Sequence, residues 1–279
     1  WAELAAVKPN DALIAAKALA AGGAVPGCAE DGLRAVFDAG EAPIGIRWGA
    51  FLTLQGLLAA EGRITELRVL VDSAVRGGLD VAPQLYLLDA LAGVDVQKEA
   101  AAVAERLGRA YDERPFTLWL LAAWHAHRGD SARTEAIRGI LASRAASTGD
   151  PQAARFAEVV SARLVLLDGD TTGAIERLRR AQSVARQEAL VWEIGESLAP
   201  DRLLLAELLL ARSRPAEALV AAQVFDHQAP AAFLPFLPAS LELRRRAALA
   251  LGSENEARRL RDRLDALGHG EDHVRGSSF

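Results

Sequence analysis

The chain has 279 residues, 51% hydrophobic and 25% charged, which excludes a disordered polar chain because enough apolar surface exists to offset conformational entropy. The 32 basic and 37 acidic side chains leave a net charge of −5, so no electrostatic case exists for nucleic acid or an anionic membrane surface. One cysteine, Cys28, excludes an intrachain disulfide framework and a Cys-rich zinc site, and no apolar run reaches the roughly 18 residues of a membrane span. Alanine, the strongest helix former, fills roughly a fifth of the positions, and aromatic residues only 5%. Methionine is missing, also from position 1, and no signal-peptide pattern is visible. The sequence therefore reads as a processed chain or part of a longer one, its compartment unknown, with any anchor or export signal upstream of Trp1.

In chain order, a first helix pair is predicted over residues 11–21 and 29–39, joined by the Gly- and Pro-containing stretch 21–27. After it, Pro43, Pro83, Pro115, Pro151, Pro200 and Pro238 each stand just before an apolar, alanine-rich segment. Proline suits the first helical position because it has no N–H to leave unpaired and its φ is already helical. The segments run to Gly62, Gly93, Gly129, Gly169, Ser213 and Gly252, where a left-handed residue closes a helix. Asp130-Ser131, Asp170-Thr171 and Ser253 restart one as N-caps, and Ser253 with Glu256 spells a capping box. The Pro-rich stretch 229–238 is the one candidate hinge, and residues 268–279 read as a polar tail.

The unit of helix, short turn and helix recurs every roughly 30 to 45 residues, the signature of a helical solenoid whose pairs bury their apolar faces only by stacking. Gly169-Asp-Thr-Thr-Gly-Ala-Ile-Glu176, with Ala181 beyond it, resembles the central turn and second helix of a tetratricopeptide repeat. That family places small residues five and twelve positions after the turn glycine. Ala174, Ala218 and Ala257 match the first offset, and Ala74 and Ala181 the second. Ala122, Ala162 and Ala206 match its small residue seven before the turn. Leu67 and Arg245 depart from the pattern, and the Gly129 repeat carries two extra residues before Ala136. The expected fold is an all-α, tetratricopeptide-like superhelix of about six pairs, with residues 1–267 as one domain and the clearest repeats over 115–267.

Candidate chemistry is sparse. Asp168, Asp170, Gly173 and Ile175 copy the start of an EF-hand loop, but its twelfth position is Arg179 where calcium needs a bidentate glutamate. His125 and His127, two apart on a helix, point in different directions and do not share an ion. His269 and His273 have better spacing but fall in the tail, and Glu193 with Glu196 follow Trp192 without a base beside them. Cys28 has no partner histidine nearby, and Arg244-Arg245-Arg246 reads first as a solvated helix face. Nucleophile-elbow, dinucleotide and P-loop patterns are missing, so neither a catalytic residue, a metal nor a cofactor is expected.

What the resemblance implies is binding of a protein or peptide partner on a concave face made by the first helix of each pair. The offsets at which the family lines that groove select Leu52, Trp119, His127, Phe156, Arg163, Glu207 and Arg246. Trp119 and Phe156 are the expected anchors, since aromatic residues dominate interface energetics, and Arg163 and Arg246 the partners of carboxylates. The Ala/Arg-rich repeats resemble the C-terminal repeat region of bacterial multidomain signalling proteins such as transmembrane serine/threonine kinases. A scaffold, an adaptor, an accessory subunit docked on a possibly membrane-bound assembly, or a recognition region of a larger protein all fit. A regulatory domain holding a small ligand is the alternative, followed by an all-helical enzyme.

Overall fold

The computed structural model describes residues 1–22, 26–79, 82–110, 114–183, 197–226 and 231–268. Among these it is all-α: fifteen α-helices, three 3-10 segments and no strand. A short helix that the sequence pattern does not announce, α1 (Ala2–Val7), precedes the predicted first pair, α2 (Pro9–Gly22) and α3 (Pro26–Asp38). Six first helices follow, each paired with the helix after it. These are α4 (Ile44–Ala60) with α5 (Ile64–Arg76), α6 (Leu85–Leu91) with α7 (Gln97–Ala110), and α8 (Pro115–His127) with α9 (Ser131–Thr148). Then come α10 (Pro151–Leu167) with α11 (Thr171–Ser183), α12 (Ala199–Ala211) with α13 (Pro215–Ala222), and α14 (Leu237–Ala250) with α15 (Glu254–Ala266).

Local chemistry sets the boundaries. Pro115 and Pro151 open α8 and α10, and Pro200 and Pro238 sit in the first turns of α12 and α14. All six predicted turn residues lie in the left-handed region: Gly62, Gly93, Gly129, Gly169 and Gly252, and Ser213 at φ 56°. The next N–H then reaches back to a carbonyl five residues earlier, as in Arg63 to Leu58 (2.9 Å), Asp130 to His125 (2.9 Å) and Asp170 to Val165 (3.0 Å). Arg214 to Leu209 (2.9 Å) and Ser253 to Ala248 (2.8 Å) repeat it. Asp130 caps α9 through the N–H of Arg133 (3.0 Å), and Asp170 caps α11 through that of Gly173 (2.8 Å). The Asp170 carboxylate, read above as half of a calcium-loop look-alike, is thus engaged by its own helix. The predicted capping box at Ser253 does not form: its side chain makes no cap hydrogen bond, and its N–H, which Glu256 would take, closes α14 onto Ala248.

Burial follows the turn. Five residues after it stand Leu67, Thr134, Ala174, Ala218 and Ala257, all buried. Thr134 occupies this slot after Gly129 and Ala136 is exposed, so the two extra residues expected there are not needed. The longer turn belongs to Gly93, where Ala100 is the buried residue. Helices pack on their sequence neighbours, and first helices on first helices, α6 on α8, α8 on α10 and α12 on α14. Arg–Glu pairs tie second helices one unit apart: Arg68 of α5 meets Glu99 of α7 (2.6 Å), and Arg179 of α11 meets Glu217 of α13.

Residues 231–236 are not a hinge. They form a 3-10 segment that buries Ala232, Phe233, Pro235 and Phe236 and packs against α4, α6, α12 and α14, all first helices. Gly56 of α4 makes this approach possible: a Cβ there would stand 2.8 Å from the Leu234 Cβ and 3.0 Å from the Ala231 carbonyl oxygen. The C-terminal third therefore closes onto the N-terminal third, and part of the face made by the first helices is covered by the chain itself. Residues 229–230 of the expected hinge, the connection 23–25, Trp192 with Glu193 and Glu196, and the tail from 269 onward lie outside the described residues.

Candidate functional site

The seven residues selected on the first helices fall at different depths. Trp119 of α8 and Phe156 of α10 are wholly buried, their rings stacked with centroids 5.0 Å apart and planes 5° from parallel. Leu52 of α4 is half-buried against the same core. Arg163 of α10 is 7% exposed. The expectation that Trp119 and Phe156 present aromatic anchors to a partner, with Arg163 offering a free guanidinium, is therefore corrected. In this structure they are interior groups, because the first helices meet each other along these positions.

What holds Trp119 and Arg163 is Asp201, in the first turn of α12. Its fully buried carboxylate accepts the Trp119 Nε1–H on Oδ2 (2.9 Å) and the Arg163 Nε–H on Oδ1 (2.8 Å). The Asp201 backbone carbonyl accepts Gln182 Nε2 from α11 (3.1 Å). One acid thus joins α8, α10 and α12. An acid in a first helical turn ordinarily serves the helix dipole, so nothing in the local pattern singles out Asp201. Just before it, Leu198 is held at φ 48°, a left-handed conformation that a branched, buried side chain rarely adopts.

Outward from this knot lie His127, Glu207 and Arg246. His127, at the end of α8, is half-buried and stacked on Trp124. Burial pushes its imidazole below the ordinary value, and the Arg163 and Arg128 charges push the same way. Glu207 of α12 is half-buried, and burial raises its carboxyl to about 7 against the opposing pull of Arg163 and Arg246. Arg246 of α14 is exposed, whereas Arg244 is buried against Asp226 (2.8 Å) and Arg245 pairs with Glu242 (2.7 Å). The arginine run therefore separates into a core ion pair, a local pair and one outward group. His125 is buried, with Nδ1 3.8 Å from Asp130, and Cys28 is exposed.

The arrangement is a strip of ionisable side chains from α8, α12 and α14 over a buried Trp–Asp–Arg support. It can hold hydrogen-bonding and charged groups of a ligand, and Glu207 can change charge near neutrality. Among the described residues, no three His, Cys, Asp or Glu side chains gather as a metal site, and no helix is long and apolar enough to cross a membrane. The sequence matches no family model and no curated protein, and no solved structure matches the fold.

Proposed function

We propose that this chain is a non-catalytic, tetratricopeptide-like interaction module, a scaffold, adaptor or recognition region of a larger assembly. It holds a protein or peptide partner along the strip His127, Glu207 and Arg246. The repeat reading is supported by six turns with a left-handed residue, a buried residue at one offset after five of them, and ion pairs joining second helices one unit apart. Binding on the first helices is supported by one observation above the others. His127 of α8 and Glu207 of α12 both feel the Arg163 charge and Glu207 also that of Arg246 on α14, while the residues beneath them are core. A face serving only to pack helices has no use for a half-buried glutamate between two arginines, because burying its charge works against folding.

The test is selection of peptides from a random display library against the intact chain, with Arg246→Glu and Glu207→Lys as counter-targets. Selected peptides are expected to lose about tenfold in affinity, or about 1.4 kcal/mol, on each variant while its helical circular dichroism is retained. Peptides that bind both variants as well as the parent, or a selection that enriches none, overturn the proposal.

A further inference from the structure

Asp89 on α6 is wholly buried, and among the described residues its side chain has one partner. Gln55 of α4, buried as well, donates from Nε2 to Oδ1, and Oδ2 has no hydrogen-bond partner among the described residues. The charged groups of the surrounding elements are engaged elsewhere or point to solvent. On α4, Arg47 donates to the Phe37 carbonyl (3.1 Å). On α7, Glu99 is held by Arg68, Glu105 by Arg109, and Lys98 and Arg106 are exposed. On α8, His125 faces Asp130, and His127 faces Arg163 and Arg128. The segments 82–84 and 231–236 carry no charged side chain. On α6 itself, burial pushes the Tyr86 hydroxyl up to about 12, and the carboxylates of Asp72 and Glu99 push it further the same way.

A bare carboxylate in such surroundings costs far more than a neutral acid, which keeps its carbonyl oxygen for Gln55 and leaves one hydroxyl unpaired. Burial accordingly pushes Asp89 well above the ordinary carboxylate range, with the Gln55 hydrogen bond opposing weakly. We propose that the Asp89–Gln55 bridge is an alkali-released latch between α4 and α6, closed by a retained proton and opened by its loss. The sign follows from linkage. In the unfolded chain the acid ionises in its ordinary range, while in the folded chain it does not. Opening thus releases a proton, and the latch is tightest in acid and weakens as pH rises toward the folded-state value.

The experiment compares the intact chain with Asp89→Asn, which keeps shape and the Gln55 contact, in urea unfolding from about pH 4 to about pH 9. The unfolding constant of the parent, divided by that of the variant at the same pH, is expected to rise about tenfold per pH unit over this window until the folded acid itself ionises. Hydrogen exchange at equal pH is expected to run faster in the parent than in the variant at amides of α4 and α6, increasingly so at higher pH. A ratio that stays flat with pH overturns the latch, as does a ratio that rises while exchange in α4 and α6 is unaffected. Should Asp89→Asn not fold, carboxyl carbon-13 NMR of the aspartate-labelled parent decides. One buried aspartate in the acid form at pH 7 is expected, and every aspartate ionised there overturns the proposal.

Discussion

Replacing Asp201 by alanine removes the one carboxylate that serves both the Arg163 guanidinium and the Trp119 indole. Arg163 is 7% exposed and loses its ion pair at 2.8 Å, and Trp119 loses the acceptor at 2.9 Å from its Nε1. Breaking a buried pair on one side costs about 3–5 kcal/mol, and an orphaned indole N–H about 1–3 kcal/mol taken alone. The two terms share a cavity and do not add, so Asp201→Ala is expected to cost about 3–5 kcal/mol in urea unfolding followed by helical circular dichroism. Removing Arg163 as well takes away the stranded charge. The double variant Asp201→Leu/Arg163→Met is therefore expected to be more stable than the sum of its singles by about 2 kcal/mol or more, within the usual range for contacting pairs. An Asp201→Ala cost below about 1 kcal/mol, in the range of an ordinary surface substitution, would show that the acid does not organise this core. Additive singles would refute the coupling.

Trp119→Ala is expected to destabilise by about 3–5 kcal/mol, because a fully buried ring stacked on Phe156 leaves a cavity; an unchanged urea midpoint would restore it to the surface. Gly56→Ala is expected to cost about 1–3 kcal/mol despite alanine's better helix propensity, since its Cβ collides with Leu234 and the Ala231 carbonyl; a gain in melting temperature would deny the close approach of residues 231–236. Ser213→Gly is expected to stabilise by about 0.5–1 kcal/mol by relieving a left-handed serine, and a loss of stability would contradict the turn geometry.

The helix boundaries were legible because they are local. A proline in the first turn, an aspartate cap and a left-handed turn residue each act within a few residues, so Pro115, Asp130 and Gly169 announce themselves. Ser253 misled because spacing shows neither that its side chain leaves the helix uncapped nor that its N–H is taken by helix closure onto Ala248. The closing contact at Gly56 joins residues more than half the chain apart, and nothing around that glycine distinguishes a close approach from a weak helical position. The groove offsets picked residues on the first helices, as intended, but spacing carries no depth. Trp119 and Arg163 suit an interface as well as a core, and only Asp201, met across three helices, fixes them inside. The Arg163 position on α12 and α14, filled by Glu207 and Arg246, stays at the rim.

Hydrogen exchange of the intact chain, with and without a saturating selected peptide, tests the central claim most directly. Slowed exchange is expected in α8, α12 and α14 around His127, Glu207 and Arg246, with the second helices α9, α11, α13 and α15 unaffected. Protection confined to those second helices, with α8, α12 and α14 unchanged, would contradict it.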